Sequence, residues 1–268
     1  MRVVLVDSDP DASRLEAAAA ECEAGGAAGV VSRRVDVSDA GAMAALAAEV
    51  GAPHLLHANA GVSRKGGSAV GGDASCFAAT MAVNFFGAVN TTQAFLPSML
   101  ASGEAGVVVV TGSKQGITKP PGNVAYNCSK AALNAFAEGL QHELRSREGG
   151  CRVTAHLLVP GWTNTDILVN SERAADPSYD PSGAFFSEAR PKPGAWMPSQ
   201  VVEFMEEELA KGRFYVLCPD NEVSRDTDNL RMTWAMQDLT QDRPPLSRWH
   251  PDYKEPFEHF LAAHRGGA

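Results

Sequence analysis

The chain has 268 residues, of which 44% are hydrophobic and 21% are charged, and its formal net charge is −9 at pH 7. This acidic excess, with no dense Lys/Arg cluster, argues against a nucleic-acid partner, because phosphate binding needs a localised basic surface. No stretch approaches the roughly 20 apolar residues of a membrane span, and Asp7, Asp9 and Asp11 interrupt any signal-peptide pattern. The five cysteines are scattered without metal-ligand spacing, which predicts a reduced, cytoplasmic protein with no metal site.

Strand and helix signals alternate along most of the chain. Short β-branched and aliphatic runs indicate strands, and alanine-rich or amphipathic stretches indicate helices. In chain order the predicted elements are strand 3–6, helix 12–23, strand 30–35, helix 40–50, strand 54–58, helix 76–100, strand 106–111, helix 124–147, strand 151–159, helix 199–211 and strand 214–217. This alternation predicts an α/β fold, a doubly wound parallel sheet with helices on both faces.

The composition changes after Pro160, where prolines and aromatic residues become frequent. We therefore expect one catalytic domain over residues 1–218, with residues 163–198 as a loop that covers the site. Residues 219–268 are expected to form a C-terminal extension packed on the same domain. The aromatic residues near the covering loop either form the walls of a substrate pocket or simply pack the loop onto the sheet. They are Trp162, Phe185, Phe186 and Trp196.

The segment AYNCSKAAL places Tyr126 and Lys130 four residues apart on a predicted helix. This spacing puts both side chains on one helix face. A phenol has a reference pKa of about 10, and a nearby ammonium lowers that pKa and allows proton exchange with a substrate near neutral pH. By itself the pair is better explained as two exposed helical side chains.

Two further polar residues accompany the pair. Ser113 follows the four-valine strand in VVVVTGSKQG, at the end of a strand where open parallel sheets place their sites. It is predicted either to hydrogen-bond a substrate oxygen or to cap a turn. Asn84 lies in the apolar helical stretch MAVNFFG. Because a buried amide is costly unless it is paired, Asn84 is either a structural hydrogen-bonding residue or part of a water relay.

Together these residues resemble the Asn–Ser–Tyr–Lys set of the short-chain dehydrogenase/reductase (SDR) family, and the resemblance covers roughly residues 2–217. It implies a Rossmann-like oxidoreductase that interconverts a secondary alcohol and a ketone with a nicotinamide cofactor. Tyr126 would be the general acid/base, and Ser113 would orient the substrate oxygen. Lys130 would bind the nicotinamide ribose and lower the pKa of Tyr126, and Asn84 would hold a water that connects Lys130 to solvent.

The resemblance also implies residues that contact the cofactor. VDVSD matches the pair that meets adenine, so Asp36 would face the amine and Val37 the ring. Asp7 would accept hydrogen bonds from the adenosine ribose and repel a 2′-phosphate, which favours NAD over NADP; the alternative is an ordinary turn or cap aspartate. ANAG resembles the family's Asn-Asn-Ala-Gly, with alanine at the first position. Its implied binding residues are Asn59, Ala60 and Gly61.

VPGWTNT resembles the family's Pro-Gly-x-x-x-Thr loop, which implies that Pro160, Gly161 and Thr165 lie near the nicotinamide. Thr163 stands where the family commonly has valine or isoleucine, and its backbone would still serve the carboxamide. The small-molecule substrate would be an alcohol or ketone. Helices around Asn84 and Tyr126 form subunit interfaces in the family, so a homodimer or homotetramer is implied.

One family feature is missing from the sequence. The family begins with a strand, a glycine-rich turn that holds the cofactor pyrophosphate, and a helix, and no equivalent β-α unit is present here. Two hypotheses follow. Either the complete enzyme carries this unit upstream of Met1, or the chain is a degenerate family member without dinucleotide binding that acts as a binding or regulatory protein.

Overall fold

The predicted alternation of strands and helices is present in the structure, a computed structural model that describes residues 1–183, 187 and 189–264. Phe185 and Phe186 therefore lie outside the described residues. The strands are β1 Arg2–Asp7, β2 Gly29–Arg34, β3 Leu55–Ala58, β4 Gly106–Thr111, β5 Val153–Val159 and β6 Tyr215–Leu217. The helices are α1 Ala12–Ala24, α2 Ala40–Val50, α3 Ala74–Met81, α4 Gly87–Ser102, α5 Gln115–Thr118, α6 Val124–Arg145, α7 Ile167–Ala175, α8 Pro198–Ala210, α9 Arg225–Thr240 and α10 Lys254–His264.

Every strand pair is parallel, as the sequence predicts, but the described strands form two sheets rather than one. β1 pairs with β2, and a separate sheet has the order β3-β4-β5-β6. Within the described residues, β1 and β3 therefore each keep one strand edge without a partner. The α/β class with helices on both faces is confirmed.

Local sequence signals explain where the first helices begin. Asp11, Asp39 and Asp73 each precede a helix, and each side chain accepts a hydrogen bond from a backbone N–H of the first turn. Such caps satisfy N–H groups that have no partner inside the helix, and losing one typically costs about 1 kcal/mol. The helix starts after β1, β2 and β3 are therefore encoded locally.

The larger core lies on one face of the four-stranded sheet, where α2, α4 and α6 cover β3, β4 and β5. A smaller core lies on the opposite face, where α8 packs over β4, β5 and β6. Because side chains alternate along a strand, Leu56 and Ala58 of β3 enter the larger core and Leu55 and His57 point to the opposite face. The described helices leave that part of the opposite face uncovered, and Leu55 is 48% exposed.

The structure differs from the predicted elements in three places. The helix predicted at 76–100 is interrupted by a π-helical segment, Ala82–Phe86, between α3 and α4. The predicted covering loop contains α7, and the polar tail contains α9 and α10. Buried Trp234 explains the order of the tail, since its ring packs against the rings of Phe257 and Phe260 at centroid distances of 5.3 and 5.2 Å. Among the described helices, none is long and apolar enough to cross a membrane.

Candidate active site

A large cleft of about 1220 Å³ separates the two sheets. Residues from both β1 and β3 line it, together with the loops that follow β1, β2 and β3. Ligands of open parallel sheets bind at the carboxyl ends of the strands, which makes this cleft the principal candidate site. Six residues singled out from the sequence lie on its lining: Asp7, Asp36, Val37, Asn59, Ala60 and Gly61.

The two aspartates of the cleft lining that the sequence singled out, Asp7 and Asp36, are held in turns. Asp7 accepts a hydrogen bond from the backbone N–H of Asp9 at 2.8 Å, through Oδ1. Asp36 accepts the backbone N–H and the hydroxyl of Ser38, both at 2.8 Å, also through Oδ1. The turn role that the sequence left open for Asp7 is thus present, and it engages one oxygen of a carboxylate that lines the cleft.

Val37 is positioned by two residues that the sequence reasoning missed. A Cβ atom at position 87 would lie 2.5 Å from Val37 Cγ2, so only glycine allows helix α4 to approach this closely. The side-chain amide of Asn90, one turn further along α4, donates to the Val37 carbonyl at 2.9 Å. An asparagine in an otherwise apolar helix predicts a hydrogen bond of this kind, because a buried amide is costly unless it is paired.

Both the oxygen and the nitrogen of the Asn84 side-chain amide form hydrogen bonds. Its Oδ1 accepts the backbone N–H of Val62 at 2.7 Å, and its Nδ2 donates to the Val62 carbonyl at 3.0 Å and to Ser129 Oγ at 2.9 Å. The residue therefore joins the loop after β3 to helix α6, which is the structural role considered from the sequence. It lies in the π-helical segment, a conformation frequent at functional sites.

Lys130 is buried beside this asparagine. Its Nζ donates to the carbonyl of Thr111 at 2.9 Å, and a Cβ atom at Gly61 would lie 3.5 Å from both Lys130 Nζ and Asn84 Oδ1. Burial lowers the pKa of Lys130 to about 8, because the desolvated ammonium is disfavoured. The structure thus brings Asn84, Lys130 and Gly61 together at the ends of β3 and β4.

Tyr126 and Ser113 are also adjacent, close enough for the Ser113 side chain to influence the ionisation of the phenol. The pKa of the Tyr126 phenol is raised by burial, and the Ser113 side chain opposes this only in part. This differs from the lowering expected from Lys130. The ammonium lies 5.8 Å from the centre of the tyrosine ring and donates to the Thr111 carbonyl instead, so burial dominates.

A second polar chain at the end of β3 and β4 was missed by the sequence reasoning. Thr111 Oγ1 donates to Asn59 Oδ1 at 3.0 Å, so it accepts the hydrogen bond from His57 Nε2 at 2.8 Å. Asn59 and Thr111 thereby tie the end of β3 to β4.

The loop after β5 carries Pro160, Gly161, Thr163 and Thr165. It lies beside the Ser113 loop, since the backbone N–H of Lys114 donates to the Pro160 carbonyl at 3.1 Å. These four residues are outside the described lining of the cleft, to which helix α7 contributes Asn170 and Arg173 instead. Thr163 forms a β-bridge with Trp196, which ties the start of the predicted covering loop to its end.

Within the described ranges, no group of three or more histidine, cysteine, aspartate or glutamate side chains is placed to hold a metal ion. The site thus contains the partly buried phenol of Tyr126, the partly buried hydroxyl of Ser113 and the buried amine of Lys130. Such a set can exchange a proton with a substrate oxygen and stabilise charge that develops on it.

The pKa of Lys130 predicts a pH-dependent stability. In the unfolded chain a lysine titrates near pH 10.4, whereas in the folded chain it titrates near 8. Between these values the unfolded chain binds more protons, so the free energy of unfolding rises with pH. We expect the wild type to gain about 1 kcal/mol between pH 8 and 9 relative to Lys130→Met, measured by urea unfolding. Lys211→Met, at an exposed ion pair, is the control; equal slopes for wild type and Lys130→Met would contradict the assignment.

Comparison with known proteins identifies the family. The sequence model of the short chain dehydrogenase family matches residues 1–176. SadH of Mycobacterium tuberculosis is 33% identical over 192 residues, which are 69% of this chain and 67% of SadH. Dehydrogenase/reductase SDR family member 7B of mouse is 34% identical over 151 residues, which are 54% of this chain and 44% of the mouse protein.

Solved structures agree. A short chain dehydrogenase/reductase from Burkholderia phymatum, in complex with NAD, has a TM-score of 0.75 and 29% identity, covering 91% of this chain and 87% of that chain. A short-chain dehydrogenase from Sphingobium yanoikuyae, in complex with NADPH, has a TM-score of 0.66 at 23% identity over 90% of this chain and 86% of that chain, and it shows the shared fold. This protein belongs to the short chain dehydrogenase family of oxidoreductases.

Proposed function

We propose that this chain is an NAD-dependent oxidoreductase that interconverts a secondary alcohol and a ketone. The observation that carries the proposal is the proximity of the Ser113 side chain to the Tyr126 phenol, with Lys130 buried one helical turn after the tyrosine. The relative from Burkholderia phymatum was solved with NAD. Reduction of NAD monitored by absorbance, with a panel of secondary alcohols of increasing size, tests this directly. Absence of turnover in every reaction would argue against it.

The proposed proton chemistry uses the buried groups in order. In alcohol oxidation the Tyr126 phenolate accepts the hydroxyl proton, and in ketone reduction the phenol donates a proton to the carbonyl oxygen. Ser113 donates a hydrogen bond to the same oxygen and stabilises its developing charge. Lys130 would bind the ribose hydroxyls, and the Asn84 segment would hold the water that connects Lys130 to solvent. When bound, the nicotinamide supplies or accepts the hydride.

The residues present fit two parts of such a cofactor. At the adenosine end the cleft offers the carboxylates of Asp7 and Asp36 and the apolar side chain of Val37. For the nicotinamide end we propose the Gly61 segment and the loop after β5, with Pro160, Gly161 and the two threonines that follow. The N-terminus of helix α1 does not fit the pyrophosphate, because it follows a series of aspartates that repels phosphate.

The preference for NAD over NADP rests on Asp7. We expect NADH to bind more tightly than NADPH, and Asp7→Asn to change the ratio of the two dissociation constants at least tenfold in favour of NADPH, about 1.4 kcal/mol. The substitution removes the charge that repels a 2′-phosphate. Arg34, which lies opposite Asp7 in the β1–β2 register, keeps its positive charge beside the substituted position.

Fluorescence titrations with NADH and NADPH measure both constants. Asp11→Asn is the matched control, because asparagine keeps the N-cap of α1 while the same charge is lost nearby. An unchanged ratio in Asp7→Asn, or a shift of equal size in Asp11→Asn, would argue against Asp7 as the determinant.

We further propose that a parallel strand completes the cleft between β1 and β3. Both strands present an unpaired edge to it, and a strand between them would satisfy the backbone groups of both edges. Because parallel sheets are normally covered by helices on both faces, the exposed Leu55 side chain indicates that a helix would cover its face of the sheet. The occupant we propose is a strand, glycine-rich turn and helix joined to the chain before Met1, which would also hold the pyrophosphate.

A second candidate function is binding or regulation without catalysis. The observation that favours it is the acidic edge of the cleft at Asp7 and Asp9, where a phosphate-binding turn would be needed. The two candidates differ in one measurement, which is whether NADH binds to the chain once the cleft is completed. The homodimer or homotetramer, the cytoplasmic location and the division into residues 1–218 and 219–268 stay predictions from the sequence.

A further inference from the structure

Lys114 follows the candidate catalytic Ser113 directly, but its side chain points away from Tyr126 into a buried acidic cluster. Its Nζ lies 2.6 Å from Asp228 Oδ2 and 3.3 Å from Asp220 Oδ2. The lysine side chain is 13% exposed, and the aspartates are 5% and 2% exposed. Removing one partner of such a buried ion pair strongly destabilises the folded protein, because the remaining charge stays desolvated.

The same lysine connects the two loops of the candidate site. Its backbone N–H donates to the Pro160 carbonyl at 3.1 Å. A Cβ atom at Gly161 would lie 2.9 Å from Lys114 Nζ and 2.7 Å from Asp220 Oδ2. The loop after β5 therefore passes directly over the ion pair, and a larger residue at position 161 would require the ion pair to shift. Lys114 thus contacts this loop through both its backbone and its side chain.

Both aspartates belong to residues 219–264, the described part of the C-terminal extension. Asp220 is fixed in a turn, where Oδ1 accepts the backbone N–H of Val223 at 2.7 Å. Asp228 lies in the first turn of α9, and a second cation, Arg231, lies 3.6 Å from its Oδ1. The extension also reaches the Ser113 loop separately, since Trp249 Nε1 donates to the Thr118 carbonyl at 2.8 Å.

We infer that Lys114 is a positioning residue that fixes the Ser113 loop and the Pro160–Gly161 loop against two buried carboxylates of the C-terminal extension. The extension thereby contributes to the geometry of the active site. This inference rests on the proposed function for its effect on turnover, whereas its effect on the two loops is independent of any activity.

Hydrogen exchange of the full chain, followed by mass spectrometry, tests the positioning role. We expect Lys114→Met to speed exchange at least tenfold in peptides covering residues 112–118 and 160–166, with peptides from β1 and β2 unchanged. Asp228→Asn should give a smaller increase in the same peptides, and it carries the test if Lys114→Met does not fold. Lys211→Met, which breaks an exposed ion pair on α8, should leave both loops as in wild type.

Steady-state kinetics separate positioning from simple destabilisation. We expect Lys114→Met to lower kcat at least tenfold with less than a threefold change in KM for the alcohol, and Lys114→Arg to recover part of the loss. Unchanged exchange in both loops, or a uniform increase across all peptides, would overturn the inference. If wild type shows no oxidoreductase activity, the proposed function fails on that result, and the exchange data still decide the role of Lys114.

Discussion

Tyr126→Phe should lower kcat for alcohol oxidation at least 100-fold, while dinucleotide affinity and thermal stability remain close to wild type. A positioned acid/base group typically contributes 10²- to 10⁴-fold to a rate. The substitution removes only the hydroxyl that lies near Ser113 and keeps the ring that packs beside Lys130. Initial rates, NADH titration and an unfolding curve on the same preparation measure the three quantities.

The rate of alcohol oxidation by the wild type should also change with pH in a defined direction. Burial raises the pKa of the Tyr126 phenol, so the phenol is protonated at neutral pH and ready to donate in ketone reduction. Alcohol oxidation needs the phenolate, and its rate should therefore increase with pH across the alkaline range. This increase should be absent from whatever residual rate Tyr126→Phe retains.

Tyr215→Phe is the matched control for the tyrosine substitution. Tyr215 also uses its hydroxyl in a hydrogen bond, to Glu138 Oε1 at 2.8 Å, but it lies at the exposed start of β6. Its loss should leave kcat within a factor of two of wild type. Turnover near the wild-type value in Tyr126→Phe would show that the proposed proton transfer is wrong, whatever the control does.

Completion of the cleft should have the largest effect on stability. A strand between β1 and β3 would form several backbone hydrogen bonds, each worth about 1 kcal/mol net, and its helix would bury the exposed Leu55. We expect an N-terminal extension made of a β-branched strand, a glycine-rich turn and a helix to raise the free energy of unfolding by at least about 3 kcal/mol. Urea unfolding of the chain with and without the extension measures this.

The same extension should increase the affinity for NADH, because its turn and helix N-terminus supply the pyrophosphate site. The control is an extension of equal length with two prolines in the strand, which cannot donate to either edge. Equal stability for the two extended forms would refute the strand. Higher stability without NADH binding would support the strand and favour the binding or regulatory function.

Much of this structure follows from local sequence. The aspartate caps and alanine-rich runs set the ends of α1 and α2 within a residue of prediction, and the four-valine strand lies in the middle of its sheet. Tyr126 and Lys130 could be paired from their spacing alone, since helix periodicity is a property of neighbouring residues. The tail was harder, because α9 and α10 are held by aromatic contacts rather than by a strong apolar periodicity.

The sequence by itself therefore determined the alternation of strands and helices, the helix caps and the candidate proton-transfer side chains. Tertiary structure alone decided that, in the described part of the chain, β1 and β3 face each other across a cleft without pairing, that burial raises the pKa of Tyr126, and that Lys114 meets Asp220 and Asp228. The residues involved are far apart in the sequence; Lys114 and Asp220, for example, are 106 positions apart. Distances and desolvation between such residues depend on how strands and helices pack, which no local pattern encodes.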